Sequence, residues 1–364
     1  MFRIPFISLS KRSVSDVASE HRPPLKPVVT LARIIRVVLL LLAAFLVVLI
    51  VSLVTGPGDV SPLSLARRLF LLCQGSDAGL DPSEKTILLS IRLPRILFAG
   101  IVGAALSAAG VVFQAVLRNP LADPYILGIS GGAAVGAIIG IIIGAGAVPF
   151  GIAGLAFLGA LLTILTIFGV AGSRTDRQAN TLLLTGVIIN AFFSAVIMFV
   201  ISISSSDRLH SVFFWLMGDL SLAEMGEVFF TGLFLLAGFI VMLLHARSLN
   251  LLLTGEETAM QLGVDVEKTK KILLVTASMT TAAAVSVSGT IGFVGLIIPH
   301  LLRLALGPDH RLLLPAAVLF GASFLAAADT IARSVMAPVE LPVGVVTALC
   351  GAPYFIYLLY RRTV

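Results

Sequence analysis

The chain has 364 residues, of which 58% are hydrophobic and 12% charged, with a mean hydropathy of +1.07; a soluble domain carries about 25% charged residues. That composition excludes a soluble globular protein and leaves a polytopic membrane protein, built from apolar runs of the roughly 20 residues needed to cross a bilayer. The net charge of +6 and basic pI of about 9.7 fit segments facing anionic lipid; they do not identify a cargo, and no nucleic acid partner is expected.

Residues 1–33 read as a basic cytoplasmic tail carrying Lys11, Arg12, Arg22, Lys26 and Arg33. The first apolar run, 34–54, is too long for a signal peptide, whose apolar part spans about 7–15 residues, and no convincing cleavage site follows it. It is therefore taken as the first transmembrane helix, opening a transmembrane domain over 34–364. Nine more spans are predicted at about 92–115, 126–146, 150–171, 180–203, 228–246, 268–288, 291–306, 311–333 and 341–360. With the N-terminus inside, 18 of the 25 lysines and arginines fall on the inner side. By the positive-inside rule both termini are then cytoplasmic.

Along this order, "NPLADP" at 119–124 reads as a rigid cytoplasmic turn, because each proline disfavours helix in the residue before it. Gly128, Gly132, Gly136, Gly140 and Gly144 recur at every fourth position, keeping to one helix face with a drift of about 40° per step. Such a ladder allows close helix packing; a sliding surface during transport is the alternative. Cys73 and Cys350 have no metal-site spacing. His300 lacks a second ligand at a suitable distance in sequence, so a structural role is expected and no metal or cofactor is assigned to the chain.

The segment "TGEETAMQLGVDVEKTKK" at 254–271 differs from its apolar surroundings, gathering Glu256, Glu257, Asp265 and Glu267 with Lys268, Lys270 and Lys271. Thr254 and Glu257 have the spacing of a capping box, and Gly263 supplies a stop. A short helix over about Gly255–Leu262, outside the membrane on the cytoplasmic side, is predicted, with Asp265 capping the next span.

With its flanks, "LLLTGEETAMQLGVDVEKTKK" resembles the cytoplasmic coupling helix of permease subunits in the ABC importer family for ferric siderophores, haem and vitamin B12. The blocks "RLPRILFAGIVGAALSAAGVVFQAVLRNPLADPYILGISGGAA", "GTIGFVGLIIPHLLR", "GPDHRLLLPAAVLFGASFLAAADTIAR" and "ELPVGVVTALCGAPYFIYLL" are similar to the same family, in the same order, from Ile91 onward. The resemblance implies an all-α fold of about ten transmembrane helices like that of the vitamin B12 importer. It implies a bacterial inner-membrane permease domain over 34–364 working as two copies, a homodimer, with two cytoplasmic ATPase subunits and an external solute-binding protein. ATP and Mg would be bound by the ATPase; the chain itself has no G-x-x-x-x-G-K-[ST] loop and is not expected to be an enzyme.

By the same resemblance, about 255–264 would dock on the ATPase. Gly255 and Gly263 bound the helix, and Ala259, Met260 and Leu262 supply apolar contacts. Glu256 and Glu257 suit the positive end of the helix dipole. Arg92, Arg95 and Arg333 match arginines that meet glutamates on the binding protein, a task suited to the guanidinium fork. The alternative is that Arg92 and Arg95 snorkel and Arg333 pairs with Asp329 one turn earlier. Ala179, Asn180 and Thr181 match the cytoplasmic gate, or form an ordinary helix start. Gln114 and Asn190 are the polar side chains noted in spans that could line the pathway. An ion-coupled secondary transporter is the rival function, disfavoured by the lack of paired intramembrane acids. A ferric siderophore ranks first as cargo, ahead of cobalamin and haem.

Overall fold

The structure is a computed structural model that describes residues 29–56, 85–171, 178–221 and 223–363. Among the described residues there are thirteen α-helices and no strand. Seven helices are long and apolar enough to cross a membrane and three more are apolar but shorter. These ten follow the predicted spans in order, with ends displaced by up to four residues. Residues 1–28 of the expected tail and Cys73 lie outside the described residues. Helix α1 (Leu31–Val54) begins slightly earlier than expected because the Thr30 hydroxyl accepts from Arg33 N at 3.3 Å and caps it.

Helix α2 (Leu93–Val116), entered through a π-helical turn at Ile87–Arg92, is buried along almost its whole length. It packs against α7 (Met225–Leu244), α10 (Val266–Ser288), α11 (Val294–Leu306) and α12 (His310–Ser334). Small residues make this possible. A methyl at Gly103 would run into Gly321 O, and one at Gly110 into Gly295 O. The backbones thus approach more closely than any side chain would allow, as helices in lipid do when packing rather than water drives association.

Two of the apolar helices are short for a physical reason. Helix α3 (Ile129–Ile142) has 14 residues and α11 has 13, about 20 Å at 1.5 Å per residue against a core of roughly 30 Å. The chain before each is irregular and enters the bundle. After a turn closed by Leu121 N donating to Asn119 Oδ1, the segment Pro124–Leu127 returns to the interior, where Tyr125 OH both donates to Ile291 O and accepts from Ile291 N, each at 3.0 Å. Gly295, at the start of α11, lies beside Pro124 and Leu106 O. "NPLADP" is thus only in part the surface turn expected: Asn119–Leu121 form it, while Asp123 and Pro124 begin a buried re-entry. Irregular backbone is tolerated at such depth only where protein covers it.

The glycine ladder divides by position. Gly128 and Gly144 adopt left-handed φ of 74° and 75° at the two ends of α3, whereas Gly132 and Gly136 face α4 (Gly151–Ala171), where a methyl would collide with Thr163 Oγ1 and Leu155 O respectively. Gly154, on α4, has nothing within 4 Å of an added methyl. Gly136→Ala is therefore expected to destabilise the detergent-purified protein by about 1–3 kcal/mol, and Gly154→Ala to leave it unchanged or stabilise it by about 0.5–1 kcal/mol. Thermal unfolding of the two variants checks the contrast.

Candidate coupling and docking sites

At the end of the bundle where α1 begins, the chain between α7 and α10 forms two short helices, α8 (Ala246–Leu253) and α9 (Glu256–Gln261). The predicted short helix exists, one residue shorter at each end. Its start differs from the expected capping box: the N-cap is Gly255 at φ 126°, without a side-chain cap, and the Thr254 hydroxyl donates back to Leu251 O at 2.8 Å. Gly263, at φ 83°, ends the helix as expected, and its N–H reaches Met260 O while Val264 N reaches Ala259 O. Asp265 caps α10 by accepting from Lys268 N at 3.0 Å.

The apolar residues of α9 separate into two faces. Ala259 is fully buried with Leu252 and Val266, so it holds the helix down and offers nothing to a partner, contrary to its expected place among the outward contacts. Met260 and Leu262 are 55% and 61% exposed. Glu256 does more than complement the dipole: its Oε1 lies 2.6 Å from Lys270 Nζ and 3.7 Å from Arg118 Nη2. Glu257, in the same first turn, is exposed. Nearby, Asn250 ties α8 to the start of α12, donating to Asp309 Oδ1 at 2.8 Å and accepting from His310 N at 2.9 Å. Arg311 hydrogen bonds hold Asp309 well below the usual carboxylate range, at about 2. A carboxylate with a depressed pKa keeps its stabilising charge above its ordinary pKa and loses it as pH falls toward 2, so this joint persists at neutral pH.

At the opposite end, Arg92, Arg95 and Arg333 come together, all buried. Arg95 grips Asp329 with Nε 3.1 Å from both carboxylate oxygens and Nη2 2.9 Å from Oδ1, and its Nη1 lies 2.7 Å from Glu340 Oε2. Arg92 donates to Leu53 O at 2.8 Å, Arg333 donates to Ser52 O, and Arg333 Nε stands 3.9 Å from Asp329 Oδ2. The three guanidinium groups thereby tie α1, α2 and α12 together. Snorkelling into solvent does not describe Arg92 or Arg95. Glu340, whose side chain is about a third exposed, is the outermost acid of the network.

Other polar candidates have structural partners. Gln114 is buried, donating to Leu296 O at 3.0 Å and accepting from Arg303 Nη1 at 2.8 Å, and so bolts α11 to α2 instead of facing a pathway. Asn190 lies half-buried on α5 (Gln178–Ile203), next to Gly131. The His300 ring sits 5.9 Å from that of Phe355. Ala179, Asn180 and Thr181 stand in the first turn of α5, but the side chains of Ala179 and Asn180 lie outside the described residues. Sequence reasoning missed α6 (Ser206–Met217), which packs its C-terminal end on the α10–α11 turn through Thr290 N to Trp215 O and Asp219 N to Ser288 O.

Comparison with known proteins agrees with this architecture. The chain is 46% identical over 286 residues to the cobalamin import system permease protein BtuC of Halobacterium salinarum, covering 79% of this chain and 76% of that one. It is 41% identical over 331 residues to the hemin transport system permease protein HmuU of Yersinia pestis, covering 88% and 96%. A solved metal-chelate type ABC transporter in an inward-facing conformation superposes with a TM-score of 0.77 at 32% identity, covering 90% of this chain and 99% of that one. The pattern of the FecCD transport family matches residues 32–361, and the chain belongs to that family, as a multi-pass membrane permease.

Proposed function

We propose that the chain is the transmembrane subunit of an ATP-driven importer, moving a metal chelate from an external binding protein into the cytoplasm. It works as two permease copies with two cytoplasmic ATPase subunits that bind ATP and Mg, in the bacterial inner membrane with both termini in the cytoplasm. The observation that carries this reading is α9, a short helix held down by Ala259 with Met260 and Leu262 turned outward, at the end of the bundle where the positive-inside rule puts the cytoplasm. Apolar residues raised on a polar rim suit a partner protein better than water. Relatives named for cobalamin and hemin import support a bulky chelate as cargo, and a ferric siderophore belongs to the same class. The buried acid of α12, Asp329, is engaged by Arg95 and Arg333, which counts against an open proton relay.

The gate is proposed at Ala179, Asn180 and Thr181, at the start of α5. The binding protein is proposed to dock over the arginine network, where Arg95 is shared between internal acids and a partner's glutamate. Glu340 then competes with the partner for Arg95. Glu340→Gln is expected to tighten docking of the binding protein at low salt, and unchanged or weaker affinity contradicts the competition.

For the coupling surface, Met260→Asp is expected to lower retention of the ATPase by at least about tenfold, as central apolar anchors do, and to abolish ATP-driven uptake while leaving the permease folded. Retention and uptake at the unmodified level would overturn the reading.

A further inference from the structure

On the reading of α9 as the coupling helix, the geometry points to Arg118 as the positioning residue that fastens it to α2, so that movement of α9 is delivered to the most buried helix of the bundle. Arg118 lies two residues beyond the end of α2 and has a left-handed φ of 49°, a conformation that is uncommon for a residue other than glycine, asparagine or aspartate. From there its Nη2 donates to Leu252 O, in the last turn of α8, at 3.0 Å and stands 3.7 Å from Glu256 Oε1, in the first turn of α9. Leu252 O also accepts from Gly255 N at 3.3 Å, and the guanidinium takes its second lone pair, bridging the gap between α8 and α9. The same Glu256 oxygen receives Lys270 Nζ, from the second turn of α10, at 2.6 Å. One carboxylate on α9 is thus held between cations belonging to the end of α2 and to α10.

What lies beyond Arg118 makes the attachment consequential. Residues 95 to 118 span about 35 Å at helical rise, and Arg95 at the far end is gripped by Asp329 and Glu340. Between them α2 is close-packed against its neighbours, and such interiors have low compressibility and transmit displacement. The contacts of Arg118 are partly exposed, its side chain being 45% accessible, and exposed pairs of this kind add little to stability. Direction of force is therefore the property at stake.

The test uses the complete transporter, permease with its ATPase and binding protein, in vesicles, and reads uptake per ATP hydrolysed alongside complex assembly. Arg118→Gly relieves the left-handed backbone while removing the guanidinium, so it separates the side chain's role from backbone strain. Uptake per ATP is expected to fall about fivefold or more, with hydrolysis and assembly maintained. Should Arg118→Gly fail to assemble, Arg118→Lys decides, since it keeps a charge near Glu256 but lacks the fork: reduced uptake per ATP supports the inference. Unmodified uptake per ATP in either assembled variant overturns the inference alone. Unmodified transporter that moves solute without ATP overturns the coupling reading and this inference with it.

Discussion

Close approach of backbones around α2 is the constraint on which the rest of the structure depends. In lipid, apolar side chains gain little by leaving their surroundings, so helices associate through contact packing and polar pairs. Gly103 against Gly321 and Gly110 against Gly295 bring α12 and α11 onto α2 at distances that a methyl group would forbid. Gln114 then bridges α2 to Leu296 and Arg303, and Arg95 bridges it to Asp329 and Glu340. Steric fit sets the positions of these helices, and Gln114 and Arg95 are paired across the same contacts.

The two ends of the bundle follow from this arrangement. At one, charge is drawn inward: guanidinium groups bind carboxylates and the carbonyls of α1, so residues that resemble docking arginines also close the structure. At the other, the connection between α7 and α10 is too polar for lipid and forms two short helices seated on Leu249, Leu252, Ala259 and Val266. Its outward face is free for a partner, while its inward charges engage the end of α2 and the start of α10.

The legible part of this architecture was carried by local signals. Ten apolar spans, the polar segment at 254–271, Gly263 as a stop and Asp265 as a cap depend on composition or on residues a few positions apart, and they appear in the structure. Ala259 was misplaced because sequence spacing does not reveal which face of a six-residue helix is covered. The capping box failed because Gly255, with φ 126°, takes the N-cap and turns the Thr254 hydroxyl back on α8. The burial of Arg95 and Gln114 and the re-entry of Asp123–Leu127 depend on partners more than 160 residues away, and the hydrogen bond of Arg92 is to Leu53, 39 residues back, separations which no local pattern encodes. Helix α6 left a readable trace, with apolar Leu209, Val212 and Leu216 at helical spacing ahead of Gly218, but it falls between two stronger apolar spans.

The central claim is that solute movement through this chain is driven by an ATPase acting at α9. Its most direct measurement is uptake of a ferric siderophore, cobalamin and haem, each delivered by the cognate binding protein, into vesicles containing the permease with its ATPase, under ATP alone and under an imposed ion gradient alone. The account predicts uptake of one of these chelates with ATP and none with the gradient. Gradient-driven uptake by the permease without ATPase would contradict it.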